Sequence, residues 1–213
     1  EAFRGLKIAD DPSFDEHLNK YNVIKFDLAS MAGRRRGGLN TVQTIEKYVV
    51  ADFITQFPEL HFPENCDLTL AIQTVYQKSG EQFVIIMDEY DYLIRERENP
   101  EIEAYLTFLN TLFKDDSIRP ALALAYITGI LPIIRDSFQS KLNNFKEFTM
   151  VNAKRLAPFI GFTREETEYL AAKNGMDMAE LERWYDGYCI NGIELYSPKS
   201  VIEAVDNRKC DDY

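Results

Sequence analysis

Three carboxylates follow directly on a short apolar segment. Phe83–Met87 is apolar throughout, Asp88 and Glu89 end it, and Asp91 comes two residues later. Such a run is typical of a parallel strand buried on both faces, and the carboxyl ends of these strands are where open α/β sheets bind ligands. Acids there can hold a divalent cation or orient an attacking water. The alternative is a core strand whose flanking acids cap the next element and face water.

The elements around these acids alternate between strands and helices. Val42, Ile45 and Val49 recur at three- and four-residue steps, which puts them on one face of a helix. The predicted elements are a strand over 21–28, helices over 39–57 and 68–77, a strand from 83, a helix over 102–113, and strands over 121–127 and 147–151. This order favours a three-layer α/β sheet, mainly parallel.

The character of the chain changes beyond Pro158, and the sequence places a domain boundary near Leu156. Thr163 and Glu166 have the spacing of a capping box, in which a hydroxyl and a carboxylate satisfy free backbone amides at a helix start. Asp177 and Glu180 offer a similar start. The sequence therefore predicts an α/β core over 1–155 and a small helical subdomain over 156–213.

Composition and charge limit the partners. The 213 residues carry a formal net charge of −11, which opposes non-specific attachment to nucleic acid or anionic membrane. Arg34–Arg36 is the local exception, interpreted as a solvated loop, with a phosphate or partner contact as the alternative. Three widely spaced cysteines predict neither a zinc site nor a disulfide framework. No segment is apolar for long enough to span a bilayer, and we expect a reducing, cytoplasmic location.

A phosphate-binding loop has the signature Gly-x-x-x-x-Gly-Lys-Ser/Thr, which points backbone amides and a lysine at the phosphates. Only Lys78 and Lys199 precede a serine or threonine, and the residues before them are Gln77 and Pro198. The signature is therefore absent from these 213 residues. For this chain alone we expect weak or undetectable ATP binding.

The acidic segment, Val-Ile-Ile-Met-Asp-Glu-Tyr-Asp, has the outline of a Walker B strand, and it is one of several segments that together resemble the predicted AAA-ATPase-like family of bacterial proteins. The segments that carry the resemblance are Phe3–Ile8, Asn22–Asp27, Val84–Asp91, Thr128–Ile133, Ser140–Phe145, Phe148–Met150, Gly161–Glu166, Trp184–Tyr188 and Tyr196–Val201. The resemblance implies a P-loop NTPase-type (ASCE/AAA-like) fold with a small C-terminal helical lid. It also implies a phosphate loop upstream of Glu1 and, in many members, a PD-(D/E)xK nuclease-like domain downstream of Tyr213.

The resemblance also implies roles for single residues. Asp88 is expected to bind the nucleotide cofactor through Mg²⁺, which it holds through water, and Glu89 to position or activate the attacking water. Adjacent strand residues point to opposite sides, so the two acids are expected to have different roles. Thr128 ends the strand that is expected to lie next to the acidic strand. It is expected to act there as a sensor of the terminal phosphate, although it could instead cap the turn at Gly129. Tyr90 and Asp91 are expected to shape the following loop. Arg135 and Arg155 are candidates to neutralise phosphate charge, but neither is assigned that role.

Three functions remain open from the sequence. The first is an ATPase-core fragment that binds and hydrolyses ATP with Mg²⁺ when joined to its upstream phosphate loop, the isolated chain being inactive. The second is a nucleotide-insensitive interaction module with ATPase ancestry. The third is a metal-dependent nuclease that uses Asp88, Glu89 and Asp91 directly. Expected partners are ATP and a protein partner or a second copy, with nucleic acid only through an absent downstream domain and no membrane.

Overall fold

The computed structural model describes residues 2–95, 99–131, 144–185 and 187–212. The chain divides into two compact units, Glu1–Phe145 and Lys146–Tyr213. The units divide earlier in the chain than the predicted domains do, and the assignment of 1–155 and 156–213 as core and lid stays a prediction.

A parallel sheet organises the first unit. Its strands are β1 (Asn22–Asp27), β2 (Phe83–Asp88) and β3 (Leu122–Ile127), in the order β1-β2-β3. Both pairings are parallel, so the acidic strand lies at the centre with a neighbour on each side. The mixed α/β class and the parallel sheet are confirmed, and such a sheet is compatible with a P-loop-like fold.

Helices fill the connections between these strands. Asn40 starts the long predicted helix with a capping box, accepting from the Gln43 amide at 2.9 Å while the Gln43 side chain accepts from the Asn40 amide at 3.0 Å. Gly80 ends the next predicted helix in the left-handed conformation, with φ 73°. The helices of this unit are α1 (Phe14–His17), α2 (Leu28–Gly33), α3 (Thr41–Gln56), α4 (Leu68–Ser79), α5 (Tyr92–Arg95) and α6 (Ile102–Lys114), with 3-10 turns at Lys7–Asp10 and Arg119–Ala121.

The core lies on one face of this sheet. Phe26, Phe83 and Met87 point into a cluster that includes buried side chains of α3, α4 and α6. On the opposite face Val23 is 61% exposed and Leu124 is 55% exposed. The described residues therefore place helices against one face, and the second helical layer of the expected three-layer arrangement stays a prediction.

The second unit combines short strands with helices. Its antiparallel sheet has the order β4-β6-β5, and the helices predicted from Thr163 and Asp177 are confirmed with those residues as their N-caps. Its elements are a 3-10 turn at Lys154–Phe159, β4 (Phe162–Thr163), α7 (Arg164–Asn174), α8 (Met178–Trp184), β5 (Tyr188–Ile190), β6 (Ile193–Tyr196) and α9 (Pro198–Asn207). The unit is therefore α+β rather than purely helical.

The strand predicted over 147–151 is wrong. Thr149 and Asn152 exchange backbone hydrogen bonds of 3.3 and 3.0 Å, which closes a tight turn inside that segment. The Thr149 amide, which would have joined a ladder, is used within the turn.

Arg164 ties three elements of the second unit together. Its guanidinium donates to Glu168 of α7 at 3.0 Å, to Glu182 of α8 at 3.1 Å and to Glu194 of β6 at 3.0 Å. These carboxylates raise the pKa of Arg164 further and keep it charged.

In the part of the chain that the structure describes, no helix is both long enough and apolar enough to cross a membrane.

Candidate functional site

Two neighbouring strands end beside each other at the acidic segment. Strand β2 ends at Asp88, and β3 pairs with it so that Met87 lies opposite Ile127, one residue before Thr128. The Thr128 amide donates to the Met87 carbonyl at 2.9 Å. The Thr128 hydroxyl donates to Oδ1 of Asp88, which also accepts from the Glu89 amide at 2.9 Å. The predicted adjacency of Asp88 and Thr128 is thus present in the structure.

Glu89 leaves the strand in a left-handed conformation. Its φ is 50°, a region that costs a residue with a Cβ roughly 1–3 kcal/mol and that clusters at functional sites. The expectation that Asp88 and Glu89 alternate as strand residues is therefore wrong, because the strand ends at Asp88. The Glu89 side chain remains 45% exposed and forms an ion pair with Arg95, with Nη2 and Oε2 2.9 Å apart.

Asp91 is fully buried, unlike the other two acids. Its side chain is 0% exposed, and Oδ2 accepts from the Ile130 amide at 3.2 Å and the Leu131 amide at 2.9 Å. Oδ2 also lies 3.7 Å from Nε of Arg95. Its other oxygen, Oδ1, has no hydrogen-bond partner among the described residues. Asp91 therefore organises the segment after β3, a connection that the sequence did not reveal.

Tyr90 holds the same segment from a second position. Its amide donates to the Thr128 carbonyl at 3.0 Å, and its hydroxyl donates to the Leu131 carbonyl. A Cβ built at Gly129 would lie 2.5 Å from Oδ1 of Asp91 and 2.6 Å from Cδ1 of Tyr90. Only glycine lets the chain pass this close to both side chains.

Tyr105, on α6, stabilises the backbone of the acidic segment. Burial raises the pKa of its hydroxyl well above the ordinary value, so the hydroxyl stays a donor, and it bonds to the Tyr90 carbonyl at 2.6 Å. The sequence predicted only a helix over 102–113, which contains Tyr105. Its 0% exposure and its bond to Tyr90 show that it fixes the backbone of the acidic segment.

Asp88 fits a magnesium ion that keeps most of its water. The residue is exposed, and its Oδ2 accepts no hydrogen bond from the described residues. Mg²⁺ prefers oxygen ligands and is usually bound by one or two carboxylates with water and phosphate completing its shell. No three His, Cys, Asp or Glu side chains come together as a metal site within the described ranges. Oδ2 of Asp88 is therefore one oxygen that such an ion can use.

Three of the arginines considered in the sequence analysis form contacts with a carboxylate or an aromatic ring. Arg35 pairs with Glu101 at 2.8 Å, and the Arg34 guanidinium is 5.5 Å from the centre of the Tyr48 ring. Arg155, in the second unit, lies 6.0 Å from the centre of the Phe148 ring. Arg135 lies outside the described residues. The Arg34–Arg36 loop therefore uses at least two of its cations in contacts within the first unit.

Comparisons with known proteins give a family but no established activity. The family model described as predicted AAA-ATPase, AAA-ATPase-like, matches residues 1–139. A curated relative from Azotobacter chroococcum mcd 1, named as an uncharacterized protein in the vnfD 5' region, is 26% identical over 145 residues. The match covers 65% of this chain and 27% of the relative, so the chain spans about a quarter of that protein's length.

Proposed function

The chain belongs to the AAA-ATPase-like family, and from this premise we propose that its first unit supplies the metal-binding and water-activating half of an ATP-hydrolysing site. The observation that carries the proposal is the group at the ends of β2 and β3. An exposed carboxylate and a hydroxyl bonded to it end these two strands, and a second, half-exposed carboxylate is on the next residue of the chain. Positioning and electrostatic stabilisation supply most of the catalysis in phosphoryl transfer; in this proposal the group positions the attacking water and holds the cation that would stabilise the phosphate charge.

Each side chain has a separate task in this proposal. Asp88 would hold Mg²⁺ through water, and the bound ion would neutralise charge on the transferred phosphate. Thr128 donates to Oδ1 of Asp88, which would leave Oδ2 available to the water shell of the ion. Glu89 accepts a proton from the attacking water or orients it.

The phosphates need a cradle that these residues do not provide. The loop signature is absent from the 213 residues, and we propose that sequence upstream of Glu1 contributes it in the whole protein. We also propose that the chain forms part of a P-loop NTPase fold with a second helical layer. The segment 156–213 is the helical lid of that fold. We further propose that nucleotide turnover acts on a protein partner or a second copy of the chain.

The proposal is tested by ATP turnover in the protein extended by its upstream coding sequence. Glu89→Gln is expected to lower turnover by roughly a hundredfold or more, the range found when a general base is removed. Asp88→Ala is expected to lower turnover as well, because the carboxylate that would hold Mg²⁺ is lost. Asp116→Asn is the matched control, because Asp116 is 95% exposed. Unchanged turnover in both site variants would rule out the assignment.

An interaction module is the second candidate, and the exposed sheet face favours it. Leu124 and Tyr126 are 55% and 49% exposed on an apolar surface that a partner could cover. A module of this kind would bind its partner equally with and without nucleotide. The nuclease alternative has less support, because Asp91 is buried and bonded to two backbone amides instead of facing a metal.

A further inference from the structure

One guanidinium is shared between two carboxylates of the acidic segment. Arg95 places Nη2 2.9 Å from Oε2 of Glu89 and Nε 3.7 Å from Oδ2 of Asp91. Its side chain is 30% exposed, so both pairs are partly shielded from water. The ion pair between Asp91 and Arg95 therefore affects the strength of the ion pair between Arg95 and Glu89.

The same carboxylate fixes the segment that carries Thr128. Oδ2 of Asp91 accepts from the Ile130 and Leu131 amides, immediately after Gly129. The close approach of Gly129 to Oδ1 leaves that segment little room to move. Asp91 thus contacts the groups beside both Glu89 and Thr128 without being exposed itself.

We propose that Asp91 is a positioning residue that links Glu89 to Thr128, acting on Glu89 through Arg95 and on Thr128 through the Ile130 and Leu131 amides. The proposal rests on the proposed ATPase function. Asp91 is buried and acts indirectly. It competes with Glu89, the water-activating carboxylate, for the Arg95 guanidinium. While Arg95 is divided between two acids, Glu89 keeps an oxygen available for water.

Asp91→Asn tests this competition with little change in shape. The asparagine keeps an oxygen for the two amides but loses the charge that attracts Arg95, so Arg95 pairs more tightly with Glu89. We expect kcat for ATP to fall about tenfold while KM stays within about twofold, because Asp91 lies outside the nucleotide contacts proposed above. Asp52→Asn, an exposed position on α3, is the matched control and should leave both constants unchanged.

The route through Arg95 is tested by a double-mutant cycle in the extended protein. If Asp91 acts on Glu89 through Arg95, Asp91→Asn should change kcat by less than about twofold when Arg95 is already Gln. An equal tenfold fall in both backgrounds would overturn the route. An unchanged kcat in the single variant, or a loss confined to KM, would overturn the proposal.

Amide exchange in the 213-residue chain gives a readout that does not depend on turnover. Hydrogen bonds to a carboxylate are stronger than those to a neutral amide, so Asp91→Asn should speed exchange at Ile130 and Leu131 by about threefold or more. Asp52→Asn should leave both rates unchanged. Absence of ATP turnover in the unsubstituted extended protein would refute the proposed function, whereas unchanged exchange at both amides would refute the positioning role of Asp91.

Discussion

Gly129→Ala should destabilise the first unit because the added methyl has no space. The new Cβ would lie 2.5 Å from Oδ1 of Asp91 and 2.6 Å from Cδ1 of Tyr90. Neither side chain moves aside easily, since Asp91 is 0% exposed and Tyr90 is 5% exposed. Overpacking of this kind costs about 1–3 kcal/mol. In a chain of this size each kcal/mol lowers Tm by roughly 2–4 °C, so Tm should fall by about 2–12 °C.

Thermal unfolding followed by circular dichroism measures this shift, with Gly33→Ala as the control. No atom lies within 4 Å of a Cβ built at Gly33, the last residue of α2, and a change without strain there should be neutral or slightly stabilising. In the extended protein Gly129→Ala should also lower ATP turnover, because the backbone displaced by the added methyl group moves Thr128 away from Asp88. Equal Tm values for Gly129→Ala and Gly33→Ala would refute the steric reasoning.

Two further predictions concern the helices of the first unit. Asn40→Ala removes the cap of α3 and should cost about 1 kcal/mol of unfolding free energy, read as a lower midpoint in urea unfolding; an unchanged midpoint would contradict the capping role. Burial, and next the charge of Asp67, raises the pKa of Glu46. Glu46 is therefore neutral in both states below about pH 4, and its ionisation in the folded state is penalised as pH rises. Glu46→Gln should match the wild-type Tm at pH 4 and exceed it at pH 7, and a constant difference across this range would contradict the sign.

Much of the first unit could be predicted because local patterns and packing agree there. The apolar runs before Asp88 and Thr128 became adjacent parallel strands, and the helical periodicity after Leu39 became α3. Strands β4, β5 and β6 were missed because they are two to four residues long, too short to show alternation.

The contacts of the site were harder to predict than its position. The ends of parallel strands meet at one sheet edge, so Asp88 and Thr128 could be placed together from the sequence. The bonds from Ile130 and Leu131 to Asp91 join residues about 40 positions apart, and no periodicity signals them. The left-handed φ of Glu89 could not be predicted either, because this region of φ favours glycine and glutamate rarely adopts it.

The nucleotide that stays bound to the Glu89→Gln variant tests the central claim most directly. The extended variant is incubated with ATP and Mg²⁺, separated from free nucleotide, and its bound nucleotide is identified by chromatography. A carboxylate that activates water is needed for hydrolysis but not for binding. We therefore predict intact ATP on the variant and ADP on the wild-type protein, whereas ADP on both would contradict the role of Glu89.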